Sequence, residues 1–340
     1  MTAKYKLIAT KIIEYINSDK CKSKKLPTER ELSQIYGVSR PTIRQALDLL
    51  LKENYIYKRQ GSGIYVSNSL YSLRNHIVLL TESEEDYIFP EIISTLAAAF
   101  YEHGFKLDVH VTDGRIDKER EILLSVLESP VRGIISIPFK SAIPNPNIML
   151  YGKLSQKHIP TLFFTDCYDD SFACIRYDDF YDTYRLVSRL YTESDDIYGI
   201  FVCDSRRSLN RYQGYIEGLL EKGKAPDDDH ILWLTSDCFN EYRTTGRILR
   251  LNDLLKKLSK DVQKNNSIIC HNDEIASALC DLIKDKELLP HIYSFDKSYL
   301  SRLEVYSYES FSYPVKEAAT RSVRLMMQLI NGEKVGEIIV

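Results

Sequence analysis

From residue 76 onward, short apolar runs rich in β-branched and aromatic residues alternate with longer stretches in which apolar positions return every three to four residues. The runs 76–81 (HIVLLT), 106–111, 133–137 (GIISI), 160–165 (PTLFFT), 197–203 (IYGIFVC), 229–234, 267–270 and 291–295 predict strands. The stretches 89–103, 117–128, 148–157, 179–192, 207–222, 240–259, 273–285 and 314–331 predict helices. Alternation of this kind predicts an α/β fold, with parallel sheets covered by helices on both faces. Eight such units suit two lobes better than one.

The first seventy residues follow another rhythm. Ile8, Ile12, Tyr15 and Ile16 fall on one face of a helix over 4–17. Pro27 blocks its continuation, and Thr28 with Glu31 forms a capping box for a second, short helix. That helix ends near Tyr36, where Gly37 suits a left-handed C-cap. Ser39 is placed to cap a third helix over about 40–53, with Pro41 in its first turn. Ile43, Ala46, Leu47 and Leu50 make its buried stripe, while Arg40 and Arg44 share a polar face. Runs at 55–59 and 64–66 flank Gln60-Gly61-Ser62-Gly63 and predict a hairpin. A winged helix-turn-helix of this kind lays its arginine-led helix in the major groove of double-stranded DNA. Arginine matches two acceptors on guanine or clamps a phosphate. Lys58, Arg59 and the bare backbone at Gly61 suit a phosphate or a minor groove.

The charge distribution agrees. Residues 1–70 carry 13 basic against 6 acidic side chains, and the rest of the chain carries 32 against 42. A basic head on an acidic body confines nucleic-acid affinity to one end. A length of 340 residues suits two domains. The divisions expected are a DNA-binding head at 1–68, a polar linker at 69–75 and a two-lobed body at 76–340. No run approaches the ~18 apolar residues of a membrane span, and the first residues lack a signal-peptide core. A cytoplasmic location away from any membrane is therefore expected. Seven cysteines form no C-x-x-C pair and read as reduced thiols. Seven histidines show no metal-ligand spacing, and no P-loop, G-x-S-x-G or G-x-G-x-x-G occurs. No catalysis, metal or cofactor is expected.

The run LPTERELSQIYGVSRPTIRQALDLLLKENYIYKRQGSGIYV closely resembles the DNA-binding domain of GntR-family regulators. The resemblance implies that Arg30, Arg40, Thr42, Arg44 and Gly61 face DNA. Ser39, Lys58 and Arg59 complete the candidate interface.

In open α/β sheets, ligands sit beyond the carboxyl ends of strands. Asp166 follows the strand at 160–165, and Asp204 and Ser205 follow 197–203 with Arg211 in the next helix. His271, Asn272 and Asp273 follow 267–270, and Asp296 follows 291–295. Acids, an amide and an arginine there fit a polyhydroxylated ligand, whose hydroxyls donate to carboxylates and accept from Arg or Asn. Tyr87, Phe89 and Tyr168 lie in loops placed to supply aromatic faces. Helix capping is the competing reading, for Asp273 above all.

The segments VRGIISIP, IPTLFFTD, RRSLNRYQGYIEGL, SIICHNDEIA and IYSFD are similar to the LacI-type sensor domain, built like sugar-binding periplasmic proteins. By that resemblance Arg211 is the effector-binding arginine, and Asp166, Asn272 and Asp296 are pocket positions. A GntR-type head on a LacI-type body is similar to the arabinose-responsive repressors. The resemblance implies a repressor of carbohydrate-use genes, a two-fold homodimer that leaves its operator when a small sugar closes the lobes. Arg176 departs from the pattern: either it favours an acidic or phosphorylated sugar, or it pairs with Asp178. A body that senses a sugar phosphate, nucleoside or purine, or that only dimerises, is the alternative.

Overall fold

A computed structural model describes residues 4–17, 24–52, 55–59, 61–67, 75–192, 196–253, 266–283, 290–333 and 335–340. In the head, α1 (Lys4–Asn17), α2 (Glu29–Tyr36) and α3 (Arg40–Lys52) precede an antiparallel hairpin of β1 (Ile56–Arg59) and β2 (Gly63–Val66). The capping box forms. Thr28 Oγ1 accepts from the Glu31 amide at 3.3 Å, and Glu31 Oε2 accepts from the Thr28 amide at 2.7 Å. Such a cap contributes ~1 kcal/mol. Gly37 ends α2 at φ 62°, where a Cβ would be strained. Ile8, Ile12 and Ile16, Leu32, the whole stripe of α3, Ile56 and Val66 then meet in one core, with Tyr15 at its margin.

The body holds two all-parallel sheets. The first runs in the order β13-β7-β6-β5-β3-β4, from β3 (His76–Thr81), β4 (Lys106–Val111), β5 (Gly133–Ser136), β6 (Thr161–Thr165), β7 (Ala173–Arg176) and β13 (Glu337–Ile339). The second runs β12-β11-β10-β8-β9, from β8 (Ile197–Val202), β9 (Ile231–Leu234), β10 (Ser267–Cys270), β11 (His291–Phe295) and β12 (Glu309–Phe311). Central strands such as β5, β6 and β8 are buried along their length, as expected of parallel strands covered on both faces.

The chain passes between the lobes twice, after β7 and after β12. At these crossings the rings of Tyr177 and Tyr313 stack at 4.3 Å, which ties the two crossing segments together. In the second lobe, helix Arg206–Glu221 lies hard against helix Asp179–Leu190. A Cβ on Gly214 would sit 2.2 Å from the Phe180 carbonyl oxygen, so only glycine permits that approach.

Three strands escaped the periodicity: β7, β12 and β13. β12 and β13 have three residues each, too few to show a period, and are sheet edges, while β7 is a four-residue strand ending in the charged Arg176. The helix expected over 240–259 is Asp237–Thr245, ended by Gly246 at φ 68°. Residues 254–259 lie outside the described residues, as does the expected linker apart from residue 75. No helix among the described residues is long and apolar enough to cross a membrane.

Candidate functional site

The head carries exposed basic side chains on two helices and the hairpin. Arg30, Arg40 and Arg44 are exposed on α2 and α3, and Lys58 and Arg59 are exposed on β1. Gly61 turns the hairpin at φ 70° with open space around its Cα. Ser39 and Thr42 share a hydrogen bond of 2.9 Å between their hydroxyls at the start of α3. Lys58 lies 3.9 Å from Asp48. Arg44 is not idle: its Nη2 donates to Glu29 Oε2 at 3.0 Å, and its Nε reaches Glu29 Oε1 at 3.4 Å. The Arg44 hydrogen bond holds the Glu29 carboxyl below its ordinary range. Its guanidinium stays solvent-facing, so an exchange of Glu29 for a phosphate or a guanine edge costs little.

The cleft between the lobes is lined by strand ends and first helical turns. Thr165, Asp166, Lys140, Ser141, Phe89 and Glu82 come from the first lobe, and Arg207, Arg243, His271, Asn272, Glu274 and Asp296 from the second. It encloses about 770 Å³ of empty space, counting its open mouth. Four of its non-glycine residues hold left-handed backbones: Tyr87 at φ 54°, Lys140 at 48°, Thr165 at 73° and Asp296 at 93°. Strain of this kind survives where the surroundings over-determine it, and it gathers at ligand sites.

Two buried carboxylate oxygens in this wall accept no hydrogen bond from the described protein groups: Asp166 Oδ2, and Asp296 Oδ1, which lies 3.6 and 3.8 Å from Arg207 and Arg211. Burial pushes the Asp166 carboxyl up, although its Oδ1 accepts from the Cys167 amide at 2.8 Å. An orphaned buried acceptor costs about 1–3 kcal/mol, so such atoms mark places for donors.

The arginine expected in the pocket stands behind it. Arg211 is fully buried and is absent from the cleft lining. Its Nη2 and Nε donate to Asp179 Oδ1 at 2.7 and 2.9 Å, and its Nη1 donates to the His271 carbonyl. Burial pushes the His271 imidazole well below its ordinary range, helped by Arg211 and Arg207. The neutral ring accepts from Arg211 Nη1 at 3.1 Å. The arginine that faces the cleft is Arg207, one turn earlier on the same helix. It donates to Asp179 Oδ2 at 3.0 Å, lies 3.6 Å from Asp296 Oδ1, and packs over Tyr313 at 4.4 Å. Asp179 thus holds both guanidinium groups.

The remaining expectations divide. Asp166, Asn272, Asp296 and Phe89 line one cleft together. Asn272, not Asp273, caps its helix by accepting from the Ile275 amide at 3.1 Å. Asp273 instead accepts from Ser294, Ser298 and Ser310 within the second lobe. Arg176 pairs with Asp170 at 2.7 Å and Glu337 at 2.8 Å, not with Asp178, which caps the next helix. Its Nε lies 3.8 Å from Asp166 Oδ1, so it stands behind the wall. Tyr168 turns away from the cleft, bonds the backbone of Phe139 and packs on Phe163. Asp204 is used up by Ser236, whose amide and hydroxyl donate to it at 2.8 and 2.7 Å.

Sequence reasoning missed Arg207, Arg243, Glu82 and Glu274. Arg207 sits in the same Arg-Arg-Ser-Leu-Asn-Arg run as Arg211, and its four-residue offset was the available signal. Arg243 had none. It joins the lobes, donating to Glu82 at 2.8 Å and to Glu274 at 2.7 and 3.1 Å.

Residues 4–66 match the family model described as bacterial regulatory proteins, gntR family. A protein of Halalkalibacterium halodurans described as an arabinose metabolism transcriptional repressor is 28% identical over 323 residues, covering 91% of this chain and 84% of its own length. One of Geobacillus stearothermophilus with the same description is 28% identical over 349 residues, covering 99% and 94%. A periplasmic binding protein/LacI transcriptional regulator from Alkaliphilus metalliredigens, solved with D-xylulofuranose, superposes with a TM-score of 0.64 at 20% identity. It covers 78% of this chain and 95% of its own, and the likeness establishes the shared fold of the body.

Proposed function

We propose that this chain, a DNA-binding transcription regulator with a GntR-family head and a LacI-like two-lobed body, represses sugar-use genes and is released from its operator by a small neutral sugar. The working form is a two-fold dimer on a palindromic site, since dimer symmetry and operator symmetry mirror each other. In the head, Arg40, Arg44 and Thr42 read the major groove, while Arg30, Ser39, Lys58, Arg59 and Gly61 fix the register through the backbone.

The reading of the ligand rests on the pair of orphaned acceptors, Asp166 Oδ2 and Asp296 Oδ1. A polyol presents donors to both and accepts from Arg207 and Asn272. Phe89 supplies an apolar face. A phosphorylated sugar is less well served, because each cation at the cleft already faces a carboxylate. Lys140 faces Asp237, Arg207 faces Asp179, and Arg243 faces Glu82 and Glu274, while Arg176, behind the wall, faces Asp170 and Glu337. The relatives described as arabinose repressors make L-arabinose the first ligand to try.

A thermal-shift panel of pentoses, hexoses, their phosphates and nucleosides tests this, followed by operator release in a mobility-shift assay. L-Arabinose or a close pentose should raise the melting temperature with dose and free the DNA. A shift produced only by phosphorylated compounds would overturn the assignment. A body that answers to none of them would be a dimerisation module.

A further inference from the structure

Tyr87 bridges the cleft. It lies in the first lobe, between β3 and helix Phe89–Tyr101. Its hydroxyl crosses to the second lobe, donates to Asp296 Oδ2 at 2.7 Å, and accepts from the Asp273 amide at 3.2 Å. That amide opens helix Asp273–Leu282, where the first N–H groups have no acceptor inside the helix. Asn272 serves the Ile275 amide and Tyr87 serves the Asp273 amide. Burial pushes the phenol well above its ordinary range, so it stays protonated and remains a donor.

Both ends of this bond are held in unfavourable backbones. A left-handed φ is rare for a bulky aromatic, yet Tyr87 adopts 54°, and Asp296 opposite adopts 93°. Other ties also join the lobes. Arg243 reaches Glu82 at 2.8 Å, Lys140 reaches Asp237 at 3.0 Å, and Arg206 reaches Asp170 at 3.0 Å. The last two are rim pairs with carboxylates about three-quarters exposed, and exposed pairs hold weakly. The Tyr87 bond is made to a carboxylate that is almost wholly buried, where a charge-assisted hydrogen bond is strong.

We propose that Tyr87 is a resident substitute for a ligand hydroxyl: it latches the two lobes before the effector arrives and leaves the effector only the Oδ1 side of Asp296. The cleft is then closed at rest, and the effector acts by completing a wall that Tyr87 has half satisfied. Tyr87 thereby sets which face of the ligand must carry the hydroxyl that reaches Asp296. The proposal shares the closing cleft with the sugar-sensor reading but does not depend on which ligand fills it.

The test uses the full-length, ligand-free protein and its Tyr87→Phe variant. Small-angle scattering reads lobe closure, and hydrogen exchange reads the Asp273 amide. Loss of one hydrogen bond to a carboxylate should move the open-to-closed ratio about 10- to 100-fold toward open. The variant should show a larger radius of gyration and a comparably faster Asp273 amide. Scattering and exchange identical to the parent's would overturn the proposal. Should the variant fold poorly, the parent suffices: rapid Asp273 exchange in the ligand-free parent also overturns it. L-Arabinose is then added to both proteins. Reclosure of the variant supports the latch and the sugar reading together. If L-arabinose changes neither protein while the variant is open at rest, the sugar reading fails and the latch stands.

Discussion

Arg207 and Arg211 sit one helical turn apart and share Asp179, yet removing them should have opposite consequences. Arg211 is 0% exposed and spends its guanidinium on Asp179, the His271 carbonyl and the His271 ring. Arg211→Ala leaves a cavity, an unpaired carbonyl and a weakened buried carboxylate. Breaking a buried pair costs about 3–5 kcal/mol. Arg207 still holds Asp179 at 3.0 Å, which places the cost near the lower end. For a body of this size, about 3 kcal/mol lowers the melting temperature by roughly 6–12 °C. Arg207 has 14% of its side chain exposed and lines the cleft. Arg207→Ala leaves Asp179 paired with Arg211 and lets water reach Asp296. It forfeits two hydrogen bonds to Asp179, made by a group that water can reach, and the packing over Tyr313, together about 1–2 kcal/mol. On the proposed function it also removes a charged donor to the sugar, worth about 1.5–3 kcal/mol, or roughly 10- to 100-fold in affinity. Differential scanning fluorimetry and titration calorimetry with L-arabinose separate the two. An Arg207→Ala protein that melts below Arg211→Ala, or that binds the sugar as the parent does, would refute the assignment of front and back.

Two further outcomes are expected. Arg44→Ala should weaken binding to a duplex operator, selected from random sequence, by about 1–3 kcal/mol in fluorescence anisotropy, with ligand binding intact. Unchanged anisotropy titrations would remove Arg44 from the interface. Glu274 gives a pH dependence: burial pushes its carboxyl up to about 7 against the pull of Arg243. A group whose folded pKa is raised stabilises below its unfolded value, and that contribution is lost as pH rises through about 7. The melting temperature should therefore fall between pH 5.5 and 8, and Glu274→Gln should flatten the fall. The whole contribution is on the order of 3 kcal/mol. A slope untouched by the substitution would contradict it.

The sequence alone determined the head almost completely. Its helices, capping box and glycine turn are local features: each depends on residues close together in sequence, and the structure keeps them. The strand and helix order of the body was largely legible, because buried parallel strands write apolar runs of four to six residues and amphipathic helices repeat over nine to sixteen. Only the tertiary structure decided the cleft. Arg207 and Arg211 lie on one face of one helix, so no spacing tells which lines the cleft and which braces the wall. The answer comes from Asp179, about thirty positions earlier, and from Tyr313 on the returning crossing segment. Arg176 spends its charge on Glu337, at the far end of the chain, where an edge strand too short to show a pattern brings it. Tyr87 meets Asp296 across 209 positions of sequence. Charges and hydroxyls in a pocket take their roles from distance and burial, and a folded chain fixes both by contacts that no local pattern records.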